Sequence, residues 1–121
     1  MSAPAELKVI CAWSDDDFLG SLEGSLAGEA AVHFGEILLL ESWRGLTRIA
    51  LDLAAVDDID LLGLAALWRV AEAAQDLGGV LELQSVPPAV ERRLTTFGIT
   101  ERVRTGPAGE VRALLSADRP A

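Results

Sequence analysis

The residues of this chain best equipped for chemistry are its clustered aspartates, one histidine and one cysteine. Asp15-Asp16-Asp17 and Asp57-Asp58-x-Asp60 each gather three carboxylates within a few positions. Such oxygen sets suit a divalent cation, but neither has calcium-loop spacing, and aspartates bunched in a turn are ordinarily solvated. His33 falls in the middle of a helical pattern with no serine or cysteine in register, so no catalytic triad is supported and a surface histidine is expected. Cys11 stands alone in KVICAW, which excludes an internal disulfide and multi-cysteine zinc sites and reads as a core strand position rather than a nucleophile. Gly20, Gly24 and Gly28 are spaced as turn and packing glycines, and no GxGxxG or Walker-type loop occurs. No catalytic residue, cofactor or metal is expected, which leaves binding as the function to look for.

Composition narrows the partner. The 121 residues suit one domain over 1–121, and half of them are hydrophobic, enough for a core. The formal net charge of -9 would be repelled by nucleic-acid phosphates and by anionic membranes; a basic surface on a protein partner is favoured. The segment MSAPAELK lacks the charged-then-apolar pattern of a signal peptide, and apolar runs such as Ile37 to Leu40 fall far short of the roughly 20 residues that span a bilayer. A cytoplasmic protein without membrane insertion is expected.

The positioning elements follow from periodicity. Leu7–Trp13 and Phe18–Leu26 read as strands joined by the polar turn Ser14–Asp17. Ala27–Trp43 reads as a helix with Ala27, Ala30, Ala31, Phe34, Ile37 and Leu38 on one stripe, ended by Gly45. Thr47–Leu53 is a strand leading through AAVDDID to a helix, Leu61–Leu77, whose buried stripe is Gly63, Ala66, Leu67, Val70, Ala74 and Leu77. Gly78-Gly79 stops that helix and Val80–Val86 forms a strand. Pro87-Pro88 opens a third helix with Val90, Leu94 and Phe97 inward, closed by Gly98. Glu101–Arg104 reads as a short edge strand and Ala108–Ser116 as a last helix, while Met1–Ala5 and Ala117–Ala121 are expected to fray. The predicted class is α/β: a mixed sheet, mostly parallel after an N-terminal hairpin, with about four helices packed on it.

A family becomes visible in order and spacing. A strand ends in Asp52-Leu53; Ile59-Asp60-x-x-Gly63-Leu64 follows; a helix closes at Gly78-Gly79; then come Val86-Pro87-Pro88-Ala89-Val90 and Phe97-Gly98-Ile99, with Gly24 as an early glycine. From about Leu7 to Leu115 the chain resembles the STAS domain of anti-sigma factor antagonists. That resemblance implies a STAS-like fold, a regulatory protein–protein interaction and a partner such as a kinase-like anti-sigma factor. In that family the loop reads Asp-Ser-Ser-Gly or Asp-Thr-x-Gly, and a hydroxyl there is phosphorylated by the partner. Here it reads Asp60-Leu61-Leu62-Gly63, so the usual acceptor position is Leu62 and no phosphorylation is expected. STAS-like proteins also serve as subunits of a phospholipid-transport ABC system, with its ATPase as partner, and as scaffold components of stress-signalling particles. These are the alternative readings.

The loop has its own physical logic. Asp60 stands where a helix N-cap belongs, its charge suits the positive helix end, and Gly63 removes a side chain where a partner backbone would approach or where the helix packs on the sheet. Leu61, Ala65, Trp68 and Glu72 share a face away from the buried stripe, so an apolar strip would continue from the loop along the helix. Asp58, Asp60, Leu61, Leu62, Gly63, Leu64, Ala65 and Trp68 are the expected partner contacts. Val32, Leu39 and Trp43 align as a second outer strip, either a homodimer face or ordinary packing over the helix end. A phospho-receiver also has this length and acidic clusters but needs a lysine late in the sheet; the one lysine, Lys8, lies on the first strand.

Overall fold

The computed structural model describes residues 6–42 and 48–117. Readings that fall on Met1–Ala5, Trp43, Gly45, Thr47 or the last four residues lie outside them. The elements run β1 (Lys8–Ser14), β2 (Asp17–Leu26), α1 (Gly28–Ser42), β3 (Arg48–Ile59), α2 (Leu61–Asp76), β4 (Val80–Gln84), α3 (Pro88–Thr96), a 3-10 turn (Ile99–Glu101), β5 (Arg104–Thr105) and α4 (Glu110–Ala117). The five strands form one sheet in chain order. β1 pairs antiparallel with β2, and β2–β3, β3–β4 and β4–β5 are parallel, as crossover helices require. The two-residue turn between β1 and β2 takes Asp15 to φ 53°, a left-handed conformation that aspartate tolerates.

Strand alternation sends the sheet's side chains to two unequal cores. Ile49, Leu51, Leu53, Leu81 and Leu83 meet Phe34 and Leu38 of α1, Leu67 and Val70 of α2, and Val90 and Leu94 of α3 in the main core. Leu19 and Ala50 point the other way and pack with Val111 and Leu115 of α4. Polar residues also lie on that second face. Glu82, 2% exposed, accepts from Arg48 at 3.0 Å, Gln84 at 2.8 Å and Arg104 at 2.9 Å. Arg48 also reaches Glu110 at 2.8 Å, and the Val111 amide donates to Gln84 at 2.9 Å, so α4 is pinned by ion pairs as well as by its small apolar cluster.

Several expectations are corrected. β3 does not end at Leu53 but continues through AAVDDI to Ile59, paired with β2 across two register shifts that bury Leu53, Val56 and Ile59 at intervals of three. Cys11 is exposed, on the edge strand β1, although its neighbour Ala12 packs on the cluster beneath α4. Ala30 and Ile37 of α1 are exposed; the buried stripe is Ala31, Phe34, Gly35 and Leu38. Leu77 and Phe97 sit at the C-caps of α2 and α3, where the helix no longer fixes an inward face, and are 48% and 50% exposed. The segment 101–104 begins in the 3-10 turn, and the edge strand is Arg104–Thr105.

Candidate functional site

β3 ends at buried Ile59, and the chain turns into α2 at Asp60. Asp60 is extended (φ -104°, ψ -174°), and its Oδ1 accepts from the Gly63 amide at 2.9 Å, an N-cap bond. Its Oδ2 accepts from the Gly28 amide at 2.9 Å, at the first residue of α1. One carboxylate therefore ties two helix starts together. Burial opposes its ionisation, but the amides of Gly63, Gly28, Leu62 and Asp60 itself prevail and hold the carboxyl below the usual aspartate range. The Asp60 amide donates to the Leu26 carbonyl at 3.4 Å, which joins the loop to the end of β2.

Gly63 is what lets α2 settle there. A Cβ at that position would lie 2.1 Å from the Leu26 carbonyl oxygen and 2.7 Å from Ile59 Cγ1. Its small size is used by the chain's own backbone, so the sheet-packing reading of Gly63 replaces the one that reserved it for a partner. Leu64 is likewise withdrawn from the surface, at 3% exposure in the main core.

The leucines between them face solvent. Leu61 is 65% and Leu62 46% exposed. Each borders a shallow groove, and Ala65 lines both. On the α1 side the groove is walled by Val32, Gly35, Leu39, Leu62, Ala66 and Arg69. On the other side, a groove of about 240 Å³ is formed by Leu61, Leu64, Trp68, Phe97 and Ile99. Both are smaller and more open than the roughly 300–1,000 Å³ clefts that enclose small molecules. Trp68 is half-buried against the core, and the Arg102 guanidinium lies 4.7 Å from its ring centroid, so part of the expected Trp68 surface is already covered. Asp58 is exposed on β3 opposite Ser25, beside Asp57, which accepts from the Ser25 hydroxyl at 3.1 Å.

Of the residues expected at the site, Asp60, Leu61, Leu62 and Ala65 come together at the surface with part of Trp68. Asp58 lies on the strand just before them. Sequence reasoning missed Phe97 and Arg102, and it set Val32 and Leu39 on a separate outer strip of the first helix, whereas both line the groove beside Leu62. Phe97 carried a usable signal, since an apolar residue directly before a helix-stopping glycine sits at the frayed last position. Arg102 carried none.

A model described as "Mlab, STAS domain" matches residues 12–117. The chain belongs to the STAS family. Comparison with curated proteins gives no match. Among solved structures, an anti-sigma factor antagonist from Mycobacterium paratuberculosis superposes with TM-score 0.70 at 19% identity, covering 99% of this STAS chain and 100% of that one. The anti-sigma factor antagonist SpoIIAA in its unphosphorylated form gives TM-score 0.73 at 15% identity, covering 92% and 95%. A variant of Moorella thermoacetica RsbS gives 0.72 at 22%, covering 91% and 96%. At these identities the likeness is one of fold, and the mixed sheet with its N-terminal hairpin is the STAS architecture. Among the described residues, no helix is long and apolar enough to cross a membrane.

Proposed function

We propose that this STAS domain is a regulatory, non-catalytic binding module that docks an anti-sigma factor of the kinase-like type on the Asp60 loop and the outer face of α2. The observation that carries this reading is the exposed pair Leu61 and Leu62, set between two grooves on a helix start that Asp60 and Gly63 hold fixed. Two large apolar side chains in water on a rigid ridge are unfavourable unless something covers them. The resemblance to anti-sigma factor antagonists supplies the partner class. Leucine at both hydroxyl positions makes the contact constitutive, since no phosphate can be placed at Leu61 or Leu62.

Capture from source lysate with the wild type and Leu61→Glu as parallel baits, read by mass spectrometry, tests this. A kinase-like anti-sigma factor recovered by the wild type and lost with Leu61→Glu is the expected result. Equal recovery by a folded Leu61→Glu bait contradicts the surface.

The apolar character of the ridge also favours a second reading, in which the same face is a permanent contact with the ATPase of a phospholipid-transport ABC system. Permanent interfaces are more apolar than transient ones. Recovery of an ABC ATPase in place of an anti-sigma factor selects it.

A further inference from the structure

α4 is held to the sheet differently from the other three helices. Beneath α1, α2 and α3 the strands present Ile49, Leu51, Leu53, Leu81 and Leu83. Beneath α4 the apolar contact comes down to Val111 and Leu115 on Leu19 and Ala50, with Ala12 beside them. The next row of that face is polar: Ser21, Asp52 and Gln84 stand in register across β2, β3 and β4. Asp52 is fully buried there. Its Oδ1 accepts from the Ala54 amide at 2.8 Å. The Arg112 guanidinium of α4 lies 3.5 Å from the same oxygen, longer than the roughly 2.7–2.9 Å of a good charged bond. Among the described residues, Oδ2 accepts no hydrogen bond. A buried carboxylate oxygen without a donor costs free energy that contact with water restores. Closing α4 over Asp52 therefore works against the bonds that hold the helix down, Arg48 to Glu110 at 2.8 Å and the Val111 amide to Gln84 at 2.9 Å.

We propose that α4 is a detachable cover, which swings off the sheet as a unit while the sheet and α1–α3 stay folded, and that buried Asp52 is the group that keeps it detachable. The segment before α4 allows this. The Gly106 amide donates to the Leu83 carbonyl at 3.0 Å and the Gly109 amide to Ser85 Oγ at 3.1 Å, so β5 and its loop stay anchored up to the start of the helix. Gly109 takes φ 80°, where glycine alone turns freely, and rotation there moves α4 without disturbing β5. In the open form water reaches Asp52 and Gln84, and little apolar surface is lost from the core. The open face is separate from the Asp60 loop and does not depend on its partner. Asp52 also distinguishes this reading from that of an ordinary ion-pair pin, because the two give opposite signs. Asparagine at position 52 keeps an oxygen for the Ala54 amide and for Arg112, and a neutral amide is cheaper to bury unpaired than a charge. A detachable cover closes more firmly with Asp52→Asn; a pin loosens.

The test is native-state hydrogen exchange of the full chain, followed amide by amide at low urea. In the wild type the Ala113, Leu114 and Leu115 amides should open at least about 100-fold more often than those of Leu51 and Leu83, in an opening that urea barely promotes because little surface is exposed. Asp52→Asn should slow the opening of α4 about fivefold or more, and Glu110→Gln, which removes the charge facing Arg48, should speed it by a similar factor, both with the Leu51 and Leu83 amides still protected. Exchange of the α4 amides only together with the core in the wild type overturns the proposal, whatever the variants do. Unchanged or faster α4 exchange in a folded Asp52→Asn variant overturns it as well.

Discussion

Asp60 accepts from Gly63 and Gly28 at 2.9 Å each, so its removal frees the starts of α2 and α1 together. A lost N-cap costs about 0.5–2 kcal/mol. Asp60→Ala should therefore lower stability by about 1–2 kcal/mol in urea melts at neutral pH. Because the native carboxyl is held below its unfolded value of about 3.9, this stabilisation is full above that value and is lost as pH falls through the native one. The gap between wild type and variant should accordingly narrow as the pH falls below about 3.9, the unfolded value. Gly63 sets two effects of opposite sign against each other. Alanine gains roughly 1 kcal/mol over glycine inside a helix, but here its Cβ would stand 2.1 Å from a backbone carbonyl that cannot rotate aside. Gly63→Ala should destabilise by about 1–3 kcal/mol net, measured by thermal or chemical unfolding. A stabilised variant would mean that α2 does not sit on Leu26.

At the scale of elements, legibility in the sequence followed the locality of the cause. The start of α2 was readable because an aspartate directly precedes an apolar helical run. The second bond of Asp60, to Gly28, was not, because it spans 32 positions. β3 beyond Leu53 was read as a loop because its buried residues, Leu53, Val56 and Ile59, recur every three positions, a spacing set by the bulged pairing with β2 and matching neither strand nor helix. Cys11, Leu77 and Phe97 were read as inward because periodicity reports the face of an element, not whether a neighbour covers that face. The face recognised by α4 was invisible for the same reason: Arg48, Glu82, Arg104 and Glu110 are scattered along the chain and meet only when the sheet forms. Burial disfavours ionised Glu82, but the Gln84 amide, the Arg104 guanidinium and the charge of Arg48 prevail and hold its carboxyl below the usual range. Glu82→Gln should lower stability by about 1.5–3 kcal/mol, the range for bonds to a charged group. Hydrogen exchange should place the loss in α4 and β5; uniform loss through α2 would contradict the account.

On the whole-molecule scale the domain is asymmetric in what it shows to solvent. Acidic residues dominate its surface, while an apolar ridge interrupts that charge at Leu61 and Leu62. A partner with a basic rim around apolar side chains complements both features, the charge speeding encounter and the ridge holding the complex. Trp68 is a poor single probe of the ridge, because it packs on the core and under Arg102, so its replacement would disturb the fold along with the contact. Leu61, 65% exposed, has no such role in the core and isolates the binding term.

The measurement that bears most directly on the central claim is the affinity of the captured partner for wild type and for Leu61→Glu, by titration calorimetry on proteins with matching circular dichroism spectra. Leu61 as a docking anchor predicts a loss of about 30-fold or more, the scale of an interface hot spot. Equal affinities would contradict it and move the functional surface away from the Asp60 loop.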